Sequence, residues 1–261
     1  MISLVALIVI NPPGWERVQA GWHAIDQLPK TATPGDRWAA AGKSFIGTPY
    51  VGGTLEQFQG NEQCIVIFDG LDCVTFVETA WAVSRSKTRD YDSVKALVTQ
   101  SRYRGGVVNG YASRLHYTRD WLNENIQAGR LWEPGRNQSF TTQESRSFNF
   151  MTQNARSYPH IKGHEQTIRE IEKKLTSQPF VFVPKSKVKN VLGSMQNGDF
   201  IALVDRRQGI DFSHVGLYVK DSNGDGFLHA SSTKKEVTIQ PNFASFIANG
   251  RAPGFWFARA K

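Results

Sequence analysis

The last third of the chain constrains its fold most. Six short runs rich in β-branched and aromatic residues, at 180–183, 200–204, 215–219, 227–230, 237–239 and 255–258, are separated by Gly, Asn and Asp. Earlier, apolar residues recur at three- and four-residue steps instead. Helices first and antiparallel strands later make an α+β layout. With 261 residues, 40% of them apolar and 21% charged, the chain can bury a sizeable core, which excludes global disorder. Residues 36–261 read as one domain with helical and loop insertions at about 88–176. Residues 1–35 read as an N-terminal segment, and residues 129–160, polar and aperiodic, as a loop-rich insertion.

Local signals place the helices. Residues 15–35 read as an irregular approach. Asp36 then offers an N-cap to a short helix with Trp38, Ala41 and Phe45 on one face, stopped by Gly47. Asp72 offers a cap to a helix running from Cys73 to about Ser84, with apolar positions 73, 76, 77, 80 and 81. Further helices are expected at 92–102, at 113–128 with Ser113 as cap and Gly129 as stop, and at 164–176.

Residues 2–10 (ISLVALIVI) are too short to span a bilayer, so no transmembrane anchor is expected. They read either as the core of an export signal lacking its basic leader and small-residue cleavage site, or as an ordinary strand. Net charge is +8, which suits a polyanionic partner. The cations are dispersed, however, without a run of five, a zinc-finger spacing or an aromatic RNA-reading motif, so nucleic acid is not the expected partner. The two cysteines, Cys64 and Cys73, are too few for a disulfide scaffold, and the six histidines supply no local metal spacing.

Period two puts His214, Gly216 and Tyr218 on one face of their strand, and Phe227 and His229 on one face of the next. A two-strand meander then sets His214 beside His229. Gly216 leaves room for a helix on that face, and the helix headed by Cys73 is the natural candidate. A thiolate at a helix N-terminus is stabilised by partial positive charge and unpaired N–H groups. A neighbouring imidazole can take and return its proton, and a third polar group fixes the tautomer. The N–H of Cys73 remains available to an oxyanion. The bland alternatives are a cysteine that is a small core residue and histidines that are merely satisfied.

Five separated pieces carry a family resemblance. Gly47-Thr48-Pro49-Tyr50, Leu71-Asp72-Cys73, Asn197-Gly198-Asp199, His214-Val215-Gly216-Leu217-Tyr218 and His229-Ala230-Ser231-Ser232 together resemble the NlpC-type papain-like hydrolases of peptidoglycan. Residues 47–56, 71–78, 103–106 and 110–121 are similar to one branch, the N-acetylmuramoyl-L-alanine amidase-like family. The resemblance implies a papain-like fold, with the helix bearing the nucleophile packed on an antiparallel β-sheet. It implies Cys73 as nucleophile, His214 as base and acid, His229 as orienting group, and the Tyr50 hydroxyl in the oxyanion hole. It implies muropeptides as substrate, without metal or organic cofactor, and a periplasmic or exported location.

The chain departs from the broader pattern at Val74, where Ser is common, and in the shortened stretch Tyr50-Val51-Gly52-Gly53. Both departures favour cleavage between the lactyl group and L-alanine over γ-D-glutamyl endopeptidase cleavage. A non-catalytic wall-binding module is the remaining alternative. Arg114 and His116, with Tyr117 and Arg119, read either as a solvated helix face or as a cleft wall meeting a stem-peptide carboxylate. Arg102 and Arg104 are weaker candidates for that contact. Asp72 caps its helix or touches the substrate amine. Cys64 reads as core, and His160 and His164 receive no role.

Overall fold

The computed structural model describes residues 11–222 and 224–261. The apolar run at 2–10 lies outside the described residues. Nine helices are described: α1 (Trp15–Asp26), α2 (Pro34–Lys43), α3 (Cys73–Arg85), α4 (Tyr91–Arg102), α5 (Thr118–Gln127), α6 (Phe150–Gln153), α7 (Glu165–Thr176), α8 (Val188–Val191) and α9 (Phe243–Asn249). Eight strands form one antiparallel sheet: β1 (Leu131–Trp132), β2 (Thr142–Glu144), β3 (Phe180–Pro184), β4 (Phe200–Val204), β5 (Phe212–Asp221), β6 (Gly224–Ser231), β7 (Glu236–Pro241) and β8 (Gly254–Ala260). Their order is β2-β3-β8-β4-β5-β6-β7, with β1 added alongside β8. The arrangement is α+β, as the order of periodicities predicts.

Both faces of the sheet are apolar, so both are covered. Val215, Leu217 and Val219 of β5, with Leu228 and Ala230 of β6, join Phe76, Val77 and Ala80 of α3 in the larger core. On the opposite face Ile201, Tyr218, Phe227, Phe255 and Phe257 meet Val188 and Val191 of α8 and Phe243 and Ile247 of α9. Strand alternation thus feeds two cores from one sheet. The indole N–H groups of Trp22 and Trp38 donate to the carbonyls of Val83 and Val77 at 3.1 and 3.0 Å, tying α1 and α2 to α3.

Several expectations need correction. Residues 15–26 are helical rather than irregular, because Trp15, Val18, Trp22 and Ile25 step by three and four and bury one face. Thr33, not Asp36, caps α2. Its side chain accepts from the Asp36 N–H while the Asp36 carboxylate accepts from the Thr33 N–H, a reciprocal capping box. The 113–128 helix begins only at Thr118. The Ser113 hydroxyl donates to Gly110 O and accepts from Asn109 N, closing a 3₁₀ turn at Tyr111–Ser113 instead of capping a helix.

The largest correction concerns Gly216. Helix α3 packs on the Val215/Leu217 side of β5, away from the face that Gly216 shares with Tyr218. The opposite face, which carries the histidines, is already covered by α8 and α9. A Cβ at Gly216 would meet the Phe227 ring at 2.7 Å and the His229 Cβ at 2.8 Å. The missing side chain therefore makes room for the neighbouring strand's rings, not for a helix.

Candidate active site

Asp72 builds the head of α3. Its carboxylate accepts from the N–H groups of Val74 and Thr75 at 3.1 and 2.8 Å and from the Thr75 hydroxyl at 2.8 Å. The Thr75 hydroxyl in turn receives the Asp72 N–H at 2.9 Å. This box uses up first-turn donors and leaves the Cys73 N–H beside its own sulfur. The half-buried thiol of Cys73 faces the N–H groups of Val215, Cys73 and Val74. Burial pushes it up to about 12 and the Asp72 carboxylate adds to the rise, while the three N–H groups pull the other way. At neutral pH the resting sulfur is a protonated thiol.

The structure brings His214 and His229 together. Strands β5 and β6 pair antiparallel, and His214 Nε2 lies 2.6 Å from His229 Nδ1, with the two rings at 89°. One ring donates and the other accepts. The Phe227 ring stacks on His229 at 4.6 Å and meets His214 edge-on at 5.9 Å. Burial holds His214 down to about 4. Burial, with His214 and the Lys234 cation adding, holds His229 down to about 3. Both rings are neutral at pH 7, so the pair is free to accept a proton from a neighbouring acid.

Cys73 comes to the same strand, one residue further on. Its contact on β5 is the Val215 N–H, immediately after His214, and no hydrogen bond joins the sulfur to the imidazole. Sequence reasoning missed this main-chain donor because every residue but proline carries one. Tyr50 sits alongside, in a bridge to Leu71, and its hydroxyl is pushed up by burial and by its proximity to Cys73 and Asp72.

The cationic candidates are placed differently. Buried Arg114 donates to Glu56 Oε1 at 2.9 Å and Glu62 Oε2 at 3.1 Å, and lies over the Tyr111 ring at 4.9 Å. Its carboxylate partners belong to the chain itself. Arg102 is buried against Glu78 at 2.7 Å, and Arg104 pairs with Asp120 at 2.6 Å. His116 donates through Nε2 to Tyr111 O at 2.9 Å, since a carbonyl can only accept. Burial and Arg114 together hold it down to about 3. With Val74, Val77 and Val215 it borders a cavity of about 30 Å³. Cys64 is buried beside Arg102, and His160 stacks on Phe58 at 3.9 Å.

Solved structures share this architecture. An N-acetylmuramoyl-L-alanine amidase from Bacteroides uniformis is 27% identical and superposes with a TM-score of 0.82, over 88% of this chain and 100% of its own. A Bacteroides fragilis protein with a provisional xylanase designation is 29% identical, with a TM-score of 0.77 over 84% of this chain and 98% of its own. A Legionella pneumophila protein, 19% identical with a TM-score of 0.71 over 94% of this chain and 93% of its own, shares the fold. No curated protein matches the chain. The sequence profile of the N-acetylmuramoyl-L-alanine amidase-like family matches residues 40–254, which takes in Tyr50, the head of α3 and both histidine-bearing strands. On that match this chain belongs to the N-acetylmuramoyl-L-alanine amidase-like family.

Proposed function

We propose that this protein hydrolyses the amide between N-acetylmuramic acid and L-alanine in muropeptides, with Cys73, His214 and His229 as its catalytic groups. The observation that carries the reading is the thiol at the head of α3, close to the Val215 N–H next to His214, itself paired with His229 at 2.6 Å. In this reading the arrangement is that of the NlpC-type papain-like hydrolases. A substrate of wall origin puts the protein in the periplasm or outside the cell.

The steps follow from the protonation states. The neutral His214 accepts the thiol proton as the sulfur attacks the lactyl carbonyl. His229 holds His214 in the tautomer that can accept, and the oxyanion meets the Cys73 N–H and the Tyr50 hydroxyl. The tetrahedral adduct collapses to a thioester as His214 returns its proton to the departing L-alanine amine. Water, deprotonated by His214, then attacks the thioester, and the thiolate leaves and is reprotonated. The balance needs only water.

Defined anhydro- and reduced muropeptides, digested and read by mass spectrometry, test this. The expected products are the intact stem peptide and the free lactyl acid, with none formed by Cys73→Ala. Masses showing cleavage after D-glutamate would move the reaction to the endopeptidase. No cleavage by the wild-type protein, with wall binding unaffected by Cys73→Ala, would leave a binding module.

A further inference from the structure

The two halves of the proposed substrate differ in charge. The sugar is neutral, while the stem peptide carries carboxylates beyond its L-alanine. The sequence offered Arg114 for those acids, and in the folded chain Glu56 and Glu62 hold it. Arg102, Arg104 and Arg119 likewise face carboxylates of the chain.

A cleft of about 560 Å³ lies beside the histidine pair, within the size range of small-ligand sites. The turn between β6 and β7 forms one wall, and the link from α9 to β8 forms another. Phe246, Ile247, Ser213, Ser231, Lys234 and Arg251 are among the residues that line it. No carboxylate lines it. Lys234 and Arg251 are exposed, and neither forms an ion pair among the described residues. Lys234 lies close enough to His229 for its charge to act on that ring.

The chemistry fixes which half of the substrate belongs there. The amine that His214 protonates is the peptide's own N-terminus, so the peptide must depart along the imidazole side, where His214 and His229 line this cleft. We propose that the cleft takes the peptide half of the substrate and that Lys234 and Arg251 bind its carboxylates. This rests on the amidase reading above. A guanidinium and an ammonium on opposite rims suit two carboxylates a residue apart, the first as a fork and the second as a point charge. Hydroxyls between them can take backbone amides.

The test uses the released tripeptide, L-alanyl-γ-D-glutamyl-diaminopimelate, which needs no turnover, and the same peptide with its carboxylates amidated. Calorimetric titration of the wild-type protein is expected to show the acid form binding about fivefold to tenfold more tightly, with the preference shrinking as salt rises. In the Lys234→Gln/Arg251→Gln double variant the two peptides are expected to bind alike. Equal binding to the wild-type protein, a preference that survives the double substitution, or no binding of either peptide would overturn the assignment. Muropeptide cleavage is read in parallel. Cleavage by the wild-type protein without any acid preference sinks this inference and leaves the amidase standing. An acid preference lost in the double variant, without cleavage, sinks the amidase and keeps the anion cleft.

Discussion

Around α3 the buried polar groups come in two kinds. On the side of residues 54–120 they are mostly paired ions: Arg102 with Glu78, Arg114 with both Glu56 and Glu62, and the part-buried Arg104 with Asp120. On the β5–β6 side they are two uncharged rings, packed on Phe227 and bonded to each other. The first region meets the cost of buried charge by pairing, the second by staying neutral. Only the second can pass a proton without breaking an ion pair, and it is the second that borders the thiol's main-chain contact and the open cleft.

Truncation should separate the two regions sharply. His214→Ala is expected to lower the rate of muropeptide cleavage by roughly 10⁴-fold, the upper range for a general base, with little change in the unfolding midpoint. A loss of only a few-fold would mean that the neutral pair is structural, and the contrast would fail. Arg102→Ala should do the reverse. With side-chain exposures of 2% and 1%, the Arg102–Glu78 pair lies in the core. Removing one partner strands the other, at a cost of about 3–5 kcal/mol by urea denaturation. The double replacement Arg102→Met/Glu78→Leu should recover most of that loss, because an apolar pair of similar volume needs no solvation. If the double variant is as unstable as the single one, the pair does more than neutralise itself.

Acid should find the histidine side first. In the unfolded chain His116, His214 and His229 take up protons as pH falls through roughly 6.5. Folded, they stay neutral until about 4 for His214 and about 3 for the other two. Between those limits the unfolded state binds more protons, so stability falls as pH drops from 7 towards 4. Arginine does not titrate there. The urea midpoint is expected to decline steadily over that window, and His116→Phe should flatten the slope. A midpoint unchanged between pH 7 and pH 5 would contradict the neutral assignment.

The same division explains what the sequence could disclose. The head of α3 was legible because its signals are local: Asp72 and Thr75 are three residues apart, and the apolar stripe repeats every three or four. The juxtaposition of His214 and His229 was legible because strand alternation is exact and the meander between them is short. The face chosen by α3 was not. It depends on which side of β5 finds the better apolar partner, a property of two segments about 140 residues apart. The ion pairs of Arg114 were not legible for the same reason, since its carboxylates lie 52 and 58 residues away. Helix α1 did carry its signal, Trp15, Val18, Trp22 and Ile25, but neighbouring Pro and Gly masked the period. The turn at Tyr111–Ser113 closed through a hydroxyl whose partners no periodicity marks.

Tyr50 gives the finest test of the comparison, because it stands where the two regions meet. Its backbone bridges to Leu71, just ahead of Asp72, and its hydroxyl lies in the field of Cys73 and Asp72. If it donates to the oxyanion, Tyr50→Phe removes one donor and leaves the Cys73 N–H in place. The expected loss is about 10² in kcat, with KM nearly unchanged, because the contact forms only as charge develops on the carbonyl oxygen. The substitution keeps the ring, so its packing against the larger core survives and the unfolding midpoint should hold. A rise in KM at constant kcat would instead make Tyr50 a ground-state substrate contact. The oxyanion would then depend on main-chain donors alone, the same kind of group that already holds the sulfur.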